Sequence, residues 1–485
     1  MSFKKLRLSA LASAAIVFLI ISSCHDNTNS LLGAMHNAGQ LAAEHPHDTS
    51  VRYTYNDILT TLPYVVNSQP QLLVWNGYSF SSYNVDRGNA RRLSCRNTFD
   101  IPLLVLSLKT NFPDRFRPGS PPFELLWSGD DSIAGPCINE INDCPSEKFA
   151  PLIMFGSVPR NDSLMPSVKA FPNPYYTKCL YDYRVFGHKE CQWTRVNDAL
   201  DYDDLKRQIF WRGSDFSNYL IDYVPSYRTK GVIVNNLFNA SMMEGMTSHQ
   251  IIRRLFDNQH NIPPRWIALC YTMLTELEGR DDSAWIDARF SSAGVFNRDL
   301  HSMFEKKGIK VTDSPVDPYS MSQYRYQIDL AGGGGTTWDG TITKLLMPGV
   351  LFHQETPFKD WFYDEMIPWI HYVPVKTDLS NLWVQYLWAE NNDCRNISKR
   401  ATNFAKRLLS EEYMKATYQS LYVDYLDKVV RAYDDQGLKW QDIKGYYVQN
   451  GFHLSMSVEC DDEYCVTEID KNVYQKVPHV AYVQF

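Results

Sequence analysis

Apolar positions along this chain fall into short runs divided by turn residues, and the rhythm is clearest from residue 326 onward. Tyr326, Ile328 and Leu330 alternate with Gln327 and Asp329, the period-two pattern of a strand. Gly332-Gly333-Gly334-Gly335-Thr336-Thr337-Trp338-Asp339-Gly340 follows, and Thr341-Ile342-Thr343-Lys344-Leu345-Leu346 then starts a helix. Val350-Leu351-Phe352 reads as the next strand and leads to His353, with an aromatic helix over Phe358-Lys359-Asp360-Trp361-Phe362-Tyr363. His371-Tyr372-Val373-Pro374-Val375 is a further strand, and Asp378-Leu379-Ser380 reads as the cap of the helix after it. Such β-loop-α units with short connections predict a parallel sheet whose ligand lies at the C-terminal ends of the strands.

Upstream, Ile101–Leu106, Phe123–Trp127 and Pro151–Gly156 read as buried strands, and Gln208–Ser214 as a strand running into a tight turn. Apolar residues at three- and four-residue spacing predict helices near 246–257, at 381–390 and through 395–430. The N-terminus is patterned differently. Lys4, Lys5 and Arg7 precede an apolar run from Leu8 to Cys24, as in a cleaved secretory signal or a short signal anchor. Positive charge ahead of that run predicts a type II orientation, with the bulk of the chain lumenal.

A chain of 485 residues is long enough for two domains, and a net charge of −7 gives no reason to expect a nucleic-acid partner. Cys137/Cys144, Cys179/Cys191 and Cys460/Cys465 are close pairs that suit local disulfides in an oxidising lumen. No CxxC and no matching histidine spacing supports a zinc site. Asn161, Asn239 and Asn396 head glycosylation sequons, usable in the same compartment. The last residues, Tyr482-Val483-Gln484-Phe485, are unlike a Lys-Asp-Glu-Leu retrieval signal. A Golgi membrane is therefore the expected address, with the endoplasmic reticulum lumen or secretion as alternatives.

Two stretches carry candidate chemistry. Glycines let backbone amides approach a ligand, and a helix start favours negative charge, so the loop at 332–340 suits a diphosphate. Its spacing is neither GxGxxG nor that of a Walker A loop, and a purely structural turn remains an equal reading. Ser128-Gly129-Asp130-Asp131-Ser132 is an acidic turn just past a strand, a place for a solvated loop or for a catalytic carboxylate.

Trp338-Asp339-Gly340, His353, Trp361-Phe362-Tyr363, Pro368-Trp369 and the run from His371 to Leu382 closely resemble glycosyltransferase family 90. That family holds protein O-glucosyltransferases and capsule-associated xylosyltransferases. The resemblance covers about residues 120–430 and is dense over 323–382. It implies an α/β chain of GT-B type, two Rossmann-like domains facing a cleft. The chain then divides into the signal or anchor at 1–24, a stem at 25–50, an acceptor domain at 51–205, a nucleotide-sugar domain at 206–430 and an extension at 431–485. The implied reaction moves glucose or xylose from a UDP-sugar to a hydroxyl of a protein or polysaccharide, with inversion and without a metal or other cofactor. Asp131 aligns with the family's catalytic base, with Asp130 as the neighbouring alternative. Arg212, Gly213, Ser214, Arg228, Gly335, Thr336, Thr337, Trp338, Asp339, Thr341 and His353 fall on the donor-binding side. One departure stands out: many relatives carry arginine where this chain has Thr341, leaving Lys344 or Arg228 to compensate. The alternative is an inactive member that binds a glycan or a client protein in the secretory pathway.

Overall fold

The alternation at Tyr326–Leu330 folds as a strand covered on both faces, because helices pack against either side of its sheet. The computed structural model describes residues 71–85, 101, 104–105, 108–109, 112–128, 152–154, 158–160, 168–170, 172, 200–215, 237–238, 240–277, 284–291, 298–332, 335–337, 340–410, 412–413, 416–417, 452–460 and 465–469. The first half contributes β1 (Gln71–Trp75), β2 (Phe80–Val85), β3 (Phe123–Ser128), β4 (Leu152–Met154), β5 (Val158–Pro159) and β6 (Val168–Ala170). The second half opens with β7 (Lys206–Gly213), α1 (Ser248–Asp257), α2 (Pro264–Leu277), β8 (Ile286–Ser291), α3 (Arg298–Lys306) and β9 (Thr312–Asp313). It goes on through β10 (Tyr324–Asp329), α4 (Gly340–Leu345), β11 (Val350–Gln354), β12 (Phe358–Lys359), β13 (Val373–Val375), α5 (Leu382–Glu390) and α6 (Arg395–Leu408). Two late strands follow, β14 (Phe452–Cys460) and β15 (Cys465–Ile469).

The second-half sheet has six strands in the order β13-β11-β10-β7-β8-β9, and all its pairings are parallel. Numbered in chain order, this is the 3-2-1-4-5-6 arrangement of dinucleotide-binding folds, whose order reverses between β7 and β10. Tyr326, Ile328, Val350 and Phe352 belong to the core shared with α2 and α5, whereas Leu351 belongs to a second core with α4 and α6. Side chains alternate across a strand, so Arg325, Gln327 and Asp329 lie on the opposite face from Tyr326 and Ile328. α1 starts with a capping box: Gln250 N–H donates to Thr247 Oγ1 and Thr247 N–H donates to Gln250 Oε1.

The other sheet is mixed, ordered β15-β14-β2-β1-β3-β4-β6. Only β3-β4-β6 is parallel; β1, β2, β14 and β15 pair antiparallel. Trp75, Phe80, Phe116 and Phe123 pack edge-on or tilted against one another beside it. The tail, set apart as an extension on sequence, supplies two strands here, and Cys460 stands directly opposite Cys465 in their register. Between the two sheets, β5 and β12 form a short antiparallel ladder, Phe358 opposite Pro159 and Lys359 opposite Val158.

Two sheets in an α/β chain agree with the expected Rossmann-like architecture, and three local readings are corrected. The run at Ile101–Leu106 is helical at its described positions, 101, 104, 105, 108 and 109. Ile101, Leu104, Val105 and Leu108 are all buried, the spacing of one helix face rather than of a strand. Phe358–Tyr363 is not a helix: β12 occupies its start, Asp360 Oδ1 accepts from Trp361 N at 2.8 Å, and a 3-10 turn begins at Tyr363. The α5 cap falls on Asn381, whose side chain accepts from Lys376 N at 2.8 Å instead of from the helix. Leu379 just before it is held at φ 56° with its side chain fully buried. Among the described residues no helix is long and apolar enough to cross a membrane, and the run from Leu8 to Cys24 lies outside them.

Candidate functional site

The candidate site lies at the C-terminal ends of β7 and β10, where the strand order reverses. Arg265, buried at the start of α2, joins these ends: Nη1 donates to Ser214 O at 2.6 Å and Nη2 to Leu330 O at 2.9 Å. Its guanidinium also lies over the Trp211 ring, 5.3 Å from the centroid. After β10 the glycine-rich stretch turns back on itself, with Gly332 N–H donating to Thr336 O and Gly335 N–H to Gly332 O. Gly335 has φ 83°, and a Cβ there would lie 2.6 Å from the Phe358 ring, so both backbone and packing require glycine. Thr336 Oγ1 is buried and has no hydrogen-bond partner among the described residues.

Beneath this turn sits Asp329, the last residue of β10 and 1% exposed. Lys344 Nζ reaches its Oδ1 at 3.0 Å, Thr341 Oγ1 donates to Oδ2 at 2.6 Å, and His353 Nδ1 lies 3.2 Å from Oδ2. Burial alone would raise the carboxyl's pKa. The Lys344 charge and the contacts from His353 and Thr341 outweigh it and hold Asp329 ionised, well below the usual carboxylate range. Thr341 Oγ1 is also 2.6 Å from Thr337 Oγ1 and 3.2 Å from Tyr363 OH. The His353 ring meets Tyr363 and Tyr372 edge-on, and its Nε2 is buried without a partner among the described residues. Burial, then the Asp329 and Asp360 charges, push the Tyr363 hydroxyl pKa up, so it remains a neutral donor or acceptor. Asp360 is a second buried carboxyl: burial raises its pKa to about 8 against the partial relief of the Trp361 N–H.

Thr337, Thr341 and His353 are thus brought together around Asp329 as one hydrogen-bonded unit. Gly213 and Ser214 lie at the end of β7, where a Cβ on Gly213 would strike the Trp211 ring at 2.5 Å. Arg212 is differently engaged. Its guanidinium makes two bonds of 2.9 Å to Asp287 and one of 3.1 Å to Asp313, and stacks on Phe210. Asp130, Asp131, Arg228, Trp338 and Asp339 lie outside the described residues, as do Asn161 and Asn239. Asn396 is exposed in the first turn of α6, while Ser398 of the same sequon donates its hydroxyl to Pro348 O at 2.7 Å. Asp329, Arg265 and Tyr363 were not singled out by sequence. On sequence Asp329 reads only as a polar position of an alternating strand. Among the described residues no three His, Cys, Asp or Glu side chains form a metal-holding group.

Residues 278–433 match the family model described as Glycosyl transferase family 90, so the resemblance read from the motifs holds over this segment. The chain is 26% identical over 158 residues to Protein O-glucosyltransferase 2 of Danio rerio, covering 30% of this chain and 28% of that protein. It is 28% identical over 152 residues to Protein O-glucosyltransferase 1 of Mus musculus, covering 31% and 37%. A third relative, Uncharacterized protein 179R of Invertebrate iridescent virus 6, is 34% identical over 126 residues, covering 24% and 10%. The chain thus covers no more than 37% of any of these relatives, and the segment matched by the family model contains Asp329, the glycine-rich turn, His353 and α6.

Proposed function

We propose, on the premise that residues 278–433 are a glycosyl transferase family 90 segment, that this protein transfers a sugar from a nucleoside diphosphate sugar to an acceptor hydroxyl. The observation that carries the reading is the glycine-rich turn over a buried, ionised Asp329 at the reversal point of a parallel sheet. Open α/β sheets bind nucleotides at that point, and close backbone approach there suits a diphosphate. The names of the two glucosyltransferase relatives favour glucose as the sugar and protein as the acceptor, with UDP-xylose and a polysaccharide as the competing donor and acceptor. With that premise we read the whole as a GT-B enzyme of the secretory pathway, and the basic residues and apolar run before residue 25 as its anchor in a Golgi membrane.

In this mechanism the acceptor oxygen attacks the anomeric carbon as the bond to the diphosphate oxygen breaks, inverting the centre. The acceptor proton passes to a carboxylate, the task of Asp131. Charge grows on the leaving diphosphate, where the backbone amides of Thr336 and Thr337 and the Thr336 hydroxyl would stabilise it. Asp329 works one step removed. By fixing Lys344, Thr341 and His353 it sets the shape of the turn.

The test is a thermal-shift series on the purified protein with UDP, UDP-glucose, UDP-xylose, UDP-galactose and GDP-mannose, followed by donor hydrolysis. One UDP-sugar should raise the melting temperature and be hydrolysed slowly. Asp131→Asn should keep the shift and lose the turnover. No shift with any nucleotide would remove the enzyme reading. It would favour a non-catalytic glycan- or client-binding protein, which the burial of Thr341 against Asp329 already supports, since position 341 then offers no cation to a donor.

A further inference from the structure

A cation from the first half of the chain stands beside the glycine-rich turn. Arg160 follows β5, and the ladder between β5 and β12 brings it against residues 356–357 of the second half. Its backbone N–H donates to Pro357 O at 2.9 Å, and its Nε donates to Thr356 O at 2.7 Å. Thr356 is itself tied to the turn: its buried hydroxyl lies 2.9 Å from Gly335 O and 2.9 Å from Phe358 O. The guanidinium carbon of Arg160 sits 5.5 Å from the centre of the Tyr363 ring, whose hydroxyl contacts Thr341. Arg160 is therefore one residue removed from Gly335 on one side and one ring removed from the Asp329 network on the other.

Two other cations of the second half are committed elsewhere. Lys344 is bound to Asp329, and Arg212 is clamped by Asp287 and Asp313. Arg160 is exposed, its Nε is fixed, and its two terminal nitrogens have no partner among the described residues. A guanidinium held by Nε presents its outer edge as a planar two-pronged donor, the geometry that fits two oxygens of a phosphate group. We infer that Arg160 binds the diphosphate of the nucleotide donor, a cation contributed by the first half of the chain to a turn contributed by the second. The inference rests on the donor reading above and adds a residue to it. It also gives the β5–β12 ladder a task, since that ladder carries the cation to the turn.

The experiment measures dissociation constants for UDP and for inorganic pyrophosphate by calorimetry on the wild-type protein, Arg160→Gln and Arg160→Lys. Glutamine keeps an N–H for Thr356 O and removes the charge; lysine keeps the charge and removes the fork. The expected result is a loss of about ten- to a hundredfold in affinity for both ligands in Arg160→Gln, with a smaller loss in Arg160→Lys. Melting temperatures without ligand should stay within a degree or so of one another. UDP bound equally by all three proteins overturns the role of Arg160 and leaves the donor reading intact. Equal losses in both variants, accompanied by a lowered melting temperature without ligand, mark a structural strap and overturn it too. A wild-type protein that binds neither UDP nor pyrophosphate overturns the donor reading and this inference together.

Discussion

The two sheets of this protein are assembled in opposite ways. Between Lys206 and Val375 each strand is followed by its own crossover, and the six strands close into an all-parallel sheet whose members are near one another in sequence. The mixed sheet joins strands from residues 71–170 to a hairpin at 452–469, so β2 pairs β14 across the whole of the second half. A sheet built from local units announces itself in a sequence, and its ligand site sits at a place the topology dictates. A sheet closed by distant strands does neither.

The contrast can be broken most severely by removing residues 452–485, which takes away β14 with its buried Met456 and Val458 and leaves the edge of β2 unpaired. Amide exchange should rise by orders of magnitude across 71–85 while 324–329 and 350–354 keep their protection. Uniform loss of protection would mean that the sheets unfold as one unit. Next in size is Asp329→Ala, which leaves Lys344 buried without its carboxylate and should cost about 3–5 kcal/mol in urea unfolding, with donor binding lost. A loss under about 1 kcal/mol would show that the network is not what holds the turn. Gly335→Ala forces φ 83° on an alanine and drives its Cβ into Phe358, for roughly 1–3 kcal/mol, and Phe358→Ala should restore part of that. Additive losses in the double variant would place the damage in the backbone alone.

The last test is a pH profile. Asp360 has a folded-state pKa raised to about 8, far above that of an unfolded aspartate near 3.9. Between those values the folded protein holds a proton that the unfolded chain has released, so this residue lowers stability as pH rises from about 4 to about 8. Asp360→Asn should match the wild-type melting temperature near pH 4 and exceed it by several degrees at pH 8. Parallel curves would show that Asp360 does not titrate in this range. Asp329 works in the other direction: its depressed pKa contributes stability above the unfolded value, lost only as pH falls toward the folded one.

The sequence disclosed the second sheet because Tyr326–Leu330, Val350–Phe352 and His371–Val375 each carry their own strand pattern and turn. It misread Ile101–Leu106 because contiguous apolar residues around Pro102 hid the three- and four-residue spacing of Ile101, Leu104, Val105 and Leu108. Phe358 offered no local sign that it would pair with Pro159, a contact made across the two halves. The site was half visible. Glycines, Thr341 and His353 pointed to it, whereas Asp329 looked like the solvated side of an alternating strand. Its burial depends on α4 and α6 covering that face, which no single segment reveals.

The pairing of β2 with β14 sets a schedule for the newborn chain. β2 is complete once Val85 has been made, but its partner begins only at Phe452. At roughly 5–20 residues per second, β2 waits on the order of 20 to 70 s with one row of amides and carbonyls unanswered. During that interval the second sheet can be finished while the first is still missing its edge. The open edge of β2 is then a template for pairing with another chain, a hazard of this protein's synthesis rather than of its finished form.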